Sequence, residues 1–268
     1  KNGALVQEVK QITKIIIKEL SDKQIFHFAS SLSFHTLLSI IPIIFVSLSI
    51  FTTMPNFADY YAKIKEFIYS NLLPSQNITQ YLDQFLSNSS SLGVMGVVAI
   101  FFTSLMFFSE YDHVISRISN VPKRGFWQSL SNYWTLTTLM PLGLGLSFWL
   151  SNFIQNALKS SEFTSSINFL AIFPHIIIWA IFAVTYLISI NKKLSLKSIA
   201  IGSFISSLAW SLSKWGFIQY SFYNKTYASI YGSFSILLFF ILWIYISWII
   251  FLYGVRLCSV LEKNKEQI

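Results

Sequence analysis

Apolar positions in this chain neither alternate with polar ones at the period of a strand nor form narrow helical stripes. They come in long blocks, at about 30–51, 92–114, 133–154, 168–190, 198–220 and 234–258. Each block is close to the roughly 20 apolar residues that an α-helix needs to cross the hydrocarbon core of a bilayer. The pattern predicts an all-α integral membrane protein with six transmembrane helices. The second and fifth blocks are the least apolar. The 52–91 stretch between the first two blocks reads as a short helical segment outside the membrane. In "FADYYAKIKEFIYSNLLP", Tyr60, Ile64, Phe67 and Ile68 share one helical face. Pro74 ends that helix, and "SQNITQYLDQFLSNSS" reads as a second.

The domain division follows from the blocks. Residues 1–28 form an N-terminal amphipathic segment, 29–260 the six-helix membrane domain, and 261–268 a tail. The first block is not expected to be a signal sequence. It is preceded by about 28 residues carrying Lys1, Lys10, Lys14, Lys18 and Lys23, and it is too long for a signal core.

Composition strengthens the membrane reading. The 268 residues are 54% hydrophobic and 11% charged, whereas a soluble domain is about 25% charged. So few charges would not cover a soluble core of this size. The aromatic complement of 26 Phe, 13 Tyr and 8 Trp suits lipid-facing surface and the two interfaces. One cysteine, Cys258, excludes an internal disulfide and a multi-cysteine metal site.

Charge sets the orientation. With six spans, one side carries the five N-terminal lysines, then Arg117, Lys123 and Arg124, then Lys192, Lys193 and Lys197, then Arg256, Lys263 and Lys265, a total of 14. The other side carries Lys63, Lys65, Lys159 and Lys225, a total of 4, and Lys214 lies within a span. Basic loops stay inside, so both termini are expected to be cytoplasmic and 52–91 extracytoplasmic. The same asymmetry accounts for the net charge of +8 without a nucleic-acid partner.

Several polar residues inside the blocks are candidates for function. Ser203, Ser207, Ser211 and Lys214 fall at i, i+4, i+8 and i+11, one stripe of the fifth helix. Two readings fit: a hydrophilic path with a cation near its outer end, or close helix packing by small residues. Glu110, His113 and Arg117 share a face of the second helix, and Arg256 lies at similar depth on the sixth. Glu110 and Arg256 are therefore a candidate intramembrane charge pair, with snorkelling to the interface as the alternative. Pro42 is expected to kink the first helix. His35, with Ser31, Ser33, Thr36 and Ser39, makes the inner half of that helix polar, so it should face the bundle. His35 reads either as a buried, hydrogen-bonded histidine or as a proton relay.

Three stretches carry a family resemblance. "FHTLLSIIP" (34–42), "SSLGVMGVVAIFFTSLMFFSEYDHVISRISNV" (90–121) and "YASIYGSFSILLFFILWIYISWIIFLYGVRL" (227–257) resemble, in order, the opening, second and closing spans of the YihY/BrkB family. The resemblance covers nearly the whole chain. It implies a six-span protein of the bacterial inner membrane, from a family labelled "ribonuclease BN-like" and linked with serum resistance and envelope lipid export. Two positions depart from the family pattern: His35 replaces an aromatic, and Arg256 reverses a usual charge.

The nuclease label finds little chemistry here. His27, His35, His113 and His175 lie in separate segments with no HxH or HxxxH spacing, and no acidic cluster accompanies them as metal ligands or an acid–base pair would require. The expectation is a protein that is not an enzyme, holds no metal or cofactor, and moves or helps to move an amphiphilic or anionic envelope component such as a lipid. Membrane lipids are its expected partners, with a second copy or an envelope protein as further candidates. The rival readings are an envelope-integrity scaffold and a membrane-bound ribonuclease.

Overall fold

The computed structural model describes residues 23–51, 66, 94–133, 135, 169–223 and 234–266. These residues form six helices and no strand: α1 (Lys23–Phe51), α2 (Val94–Ser119), α3 (126–133), α4 (Phe169–Ser189), α5 (Leu196–Tyr223) and α6 (Phe234–Glu266). The predicted 52–91 helices lie outside the described residues except for Glu66, as does most of the third apolar block.

α6 is the organising element and packs against α1, α2 and α5, while α1 pairs with α2 and α4 with α5. Its 33 residues extend for about 50 Å at 1.5 Å per residue, longer than the hydrocarbon layer. Among the described residues, Leu237–Lys263 is the one helix both long and apolar enough to cross a membrane, and Phe173–Ser189 is a shorter apolar helix.

α1 opens at Lys23, ahead of the first apolar block. The cause is a core stripe within a polar stretch: Ile25, Ala29 and Leu32 are fully buried at i, i+4 and i+7 spacing. The helix assignment continues through Pro42 to Phe51. Side-chain detail around that proline lies outside the described residues.

α1 runs antiparallel to both α2 and α6, and one end of the bundle is well defined. Phe26 of α1 meets Tyr253 of α6 edge-on at 6.4 Å, and Phe28 meets His113 of α2 at 6.5 Å. Tyr111 of α2 shares a 2.6 Å hydrogen bond with Ser189 of α4. At the same end, Ser195 caps α5. Its carbonyl accepts from Ile199 N–H at 3.2 Å and its Oγ from Ser198 N–H at 3.4 Å. Glu262 of α6 accepts from Ser195 N–H and Oγ at 2.9 and 2.8 Å, placing a carboxylate at the positive end of the α5 dipole. This end therefore gathers Lys23, Arg117, Lys123, Arg124, Lys192, Lys193, Lys197 and Lys263.

The exterior is apolar. Phe34 and Phe102 are 60% and 63% exposed, Leu212 and Trp215 62% and 67%. In water such a surface would be a liability, whereas lipid chains cover it readily. The interior is an apolar core that also holds small polar side chains, among them Ser33, Ser39, Ser203, Ser206 and Ser207.

Candidate functional site

The α5 stripe lies against two neighbours. Ser203 is buried and accepts a 2.9 Å hydrogen bond from the Trp179 indole of α4. Ser207 donates to Phe204 O at 2.9 Å, and Ser211 to Ser207 O at 2.9 Å. Lys214 continues the stripe and is half-buried. A close helix approach lies beside the stripe. A Cβ on Gly254 of α6 would collide with the hydroxyls of Tyr186 and Ser206, and one on Gly202 with Cys258 Sγ. Tyr186 also donates to Phe251 O at 3.1 Å. At this level α4, α5 and α6 form a tightly packed seam with the Tyr186 and Ser206 hydroxyls engaged in hydrogen bonds.

The polar half of α1 does turn inward. Thr36 Oγ1 accepts from the Trp248 indole of α6 at 2.9 Å, and Ser31 Oγ donates to Glu110 Oε1 of α2 at 2.6 Å. Ser33, Thr36 and Ser39 also donate to carbonyls one turn back, so these hydroxyls are satisfied within the helix. His35 is half-buried, and its Nδ1–H donates to Ser31 O at 2.9 Å. Glu110 and His113 both face α1. Arg256 is half-buried on α6, and the hydrogen bond described for Glu110 goes to Ser31.

The most unusual chemistry lies on the other face of α2. Asn120 ends that helix in the left-handed conformation, φ 54°, with Val121 N–H donating to Ser116 O at 3.1 Å. This is a Schellman stop with asparagine in place of glycine. It turns the chain so that Arg124 reaches the end of α4, donating to Ile188 O at 2.8 Å and Ser189 O at 3.1 Å. With its amide oxygen facing the guanidinium, Asn132 accepts from Arg124 at 3.2 Å. Asn191 closes the corner with a 3.3 Å bond to Pro122 O.

Between α2 and α3 this corner leaves a small cleft of about 120 Å³, open on one side, with Asp112, Ser129, Tyr133 and Phe108 in its walls and Lys123 and Arg124 beside them. Asp112 is only 4% exposed. Its Oδ1 accepts from Tyr133 OH at 3.0 Å, but its Oδ2 is buried without a hydrogen-bond partner, as is Ser129 Oγ. An unpaired buried carboxylate oxygen costs about 1–3 kcal/mol or more, so the site is held at a free-energy cost. Phe108 stacks on the Tyr133 ring at 4.6 Å and 7° and gives the cleft an apolar wall.

The sequence reading missed Asp112, Ser129, Tyr133 and Arg124 as a group. A visible signal existed, since Asp112 is an acid inside an apolar block. Among the described residues, no three of His, Cys, Asp and Glu come together as metal ligands.

Comparison with known proteins places this arrangement. The chain is 33% identical to a UPF0761 membrane protein of Haemophilus influenzae (strain 86-028NP), over 97% of this chain and 98% of the relative. It is 31% identical to one of Aggregatibacter aphrophilus, over 97% and 95%. It is 29% identical to one of Mannheimia succiniciproducens, over 96% and 91%. No solved structure matches the chain at a significant level. The family model described as Virulence factor BrkB matches residues 16–267. Helical in its described residues and similar to bacterial membrane proteins over almost its full length, the chain belongs to the BrkB family and is a membrane protein of it.

Proposed function

We propose that this protein spans the bacterial inner membrane six times with both termini in the cytoplasm, and that it moves, or helps to move, an amphiphilic anionic envelope component such as a lipid. The reading assigns it no catalysis. The observation that carries it is the contrast between an apolar exterior, exposed at Phe34, Phe102, Leu212 and Trp215, and a cationic, polar end that holds a cleft. Such a body attracts anionic headgroups at one interface while its flanks accept acyl chains. The half-buried Lys214, toward the other end of α5, supplies a cation on the serine stripe.

A scaffold that moves nothing is the second reading. The tightly packed seam at Gly202, Gly254 and Tyr186 favours it, because a path along the stripe would have to open that contact. Proteoliposomes separate the two. Labelled anionic lipid should cross faster than in protein-free vesicles, and Lys214→Gln or Ser207→Leu should slow it. Movement no faster than in protein-free vesicles selects the scaffold.

A further inference from the structure

We infer that the cleft between α2 and α3 binds a group carrying a primary ammonium a few bonds from a phosphate ester, the chemistry of an ethanolamine-type headgroup. The ligand class follows from what the walls leave unmet. Asp112 and Ser129 both line the cleft, and each keeps one buried oxygen without a partner, Oδ2 and Oγ. A carboxylate oxygen can only accept, so it demands a donor, and a cationic donor satisfies it best. The Ser129 hydroxyl, on the same cleft, is a second acceptor for an ammonium hydrogen. Lys123 stands exposed at the rim and offers a positive charge to an anion attached to that ammonium. Arg124 is already committed, with its N–H groups directed at Ile188 O, Ser189 O and Asn132. Arg124 keeps its charge but has its donors engaged, so Asp112 and Lys123 are the acidic and basic groups left to meet the two ends of a zwitterion. Phe108 and Leu105 continue the wall toward the middle of α2, where an acyl chain attached to the phosphate would lie.

The geometry also discriminates. A trimethylated ammonium has no hydrogen to donate and leaves both orphan atoms unsatisfied. A glycerol headgroup brings no positive charge to Asp112. The inference rests on the lipid reading above for where the group is delivered, but not on any movement of lipid.

Native mass spectrometry of the purified full chain, incubated with equal amounts of phosphatidylethanolamine, phosphatidylcholine and phosphatidylglycerol of matched acyl chains, tests it. Preferential retention of the ethanolamine lipid is expected. Asp112→Asn should lower that retention roughly tenfold, the scale of one charge-assisted hydrogen bond, and Ser129→Ala and Lys123→Gln by less. Because the amide oxygen introduced by Asp112→Asn can still accept from Tyr133, the fold should survive, and the exposed Lys123→Gln gives a second reading if it does not. Soluble phosphoethanolamine is the competing arm. If it displaces the lipid at equal concentration, the ligand is a soluble phosphoamine; if it does not, the ligand is the lipid. Equal retention of the ethanolamine and choline lipids, or a preference unchanged in both Asp112→Asn and Lys123→Gln, overturns the inference. Ethanolamine lipid retained by a protein that moves none would instead remove the transport reading and leave this one standing.

Discussion

The seam of α4, α5 and α6 and the cleft of α2 and α3 treat polar side chains in opposite ways. In the seam, Ser206 and the Tyr186 hydroxyl lie so near Gly254 that a single added carbon would collide with both. In the cleft, Asp112 Oδ2 and Ser129 Oγ are enclosed but left without partners. Small hydroxyls that bond one turn back cost a membrane helix little and let backbones approach. A buried carboxylate left half-satisfied is a cost that packing does not explain. A serine stripe is thus compatible with structure alone, and the cleft is where a ligand would offset that cost.

The largest expected effect breaks the seam. Gly254→Ala drives a methyl into the Tyr186 ring and hydroxyl and should destabilise the protein by about 1–3 kcal/mol, read as earlier thermal unfolding in detergent. An unchanged melting temperature would mean the seam is loose.

Gly202→Ala sharpens the point because its obstruction is one atom. With Cys258 Sγ removed, the nearest remaining atoms stand 3.5 and 3.6 Å from the new Cβ, an ordinary contact. Gly202→Ala should therefore destabilise, and Gly202→Ala with Cys258→Ala should recover most of the loss. Failure of the second change to help would place the strain elsewhere.

The cleft responds differently. Tyr133→Phe removes the 3.0 Å hydrogen bond to Asp112 Oδ1 and leaves both carboxylate oxygens unsatisfied, at a cost of about 1–3 kcal/mol. In the Asp112→Asn background the same change should cost less, since the neutral amide is easier to leave unpaired. Additive effects in this double-mutant cycle would contradict the coupling. A smaller effect belongs to the α5 cap. Ser195→Ala should cost about 0.5–2 kcal/mol, with Glu262 losing the 2.8 Å hydroxyl bond but keeping the backbone N–H.

Block length and apolar content made α4, α5 and α6 legible, because a long, nearly uninterrupted apolar run reads as a helix with little further signal. α1 was legible except at its start, where a core stripe of Ile25, Ala29 and Leu32 outweighs polar neighbours. The inward turn of Ser31 and Thr36 could be read from the polarity of that half-helix, but their partners Glu110 and Trp248 could not. The stripe read at every fourth residue of α5 passed over Ser206, whose importance comes from a glycine 48 positions away in sequence. Spacing alone puts Asp112 on a different side of α2 from Glu110, but not against Tyr133 of α3. Periodicity reports which side of a helix is polar, not which distant residue answers it.

The proposed function requires the bundle to cross the membrane with its basic end inward. Single cysteines at Asn77 and at Lys193, each in a Cys258→Ala background, test this most directly with a membrane-impermeant thiol reagent. The account predicts that position 77 reacts from the periplasmic side in cells whose outer membrane has been opened, and that position 193, exposed between α4 and α5, reacts only in inverted vesicles. Labelling of both positions from the same side would contradict it.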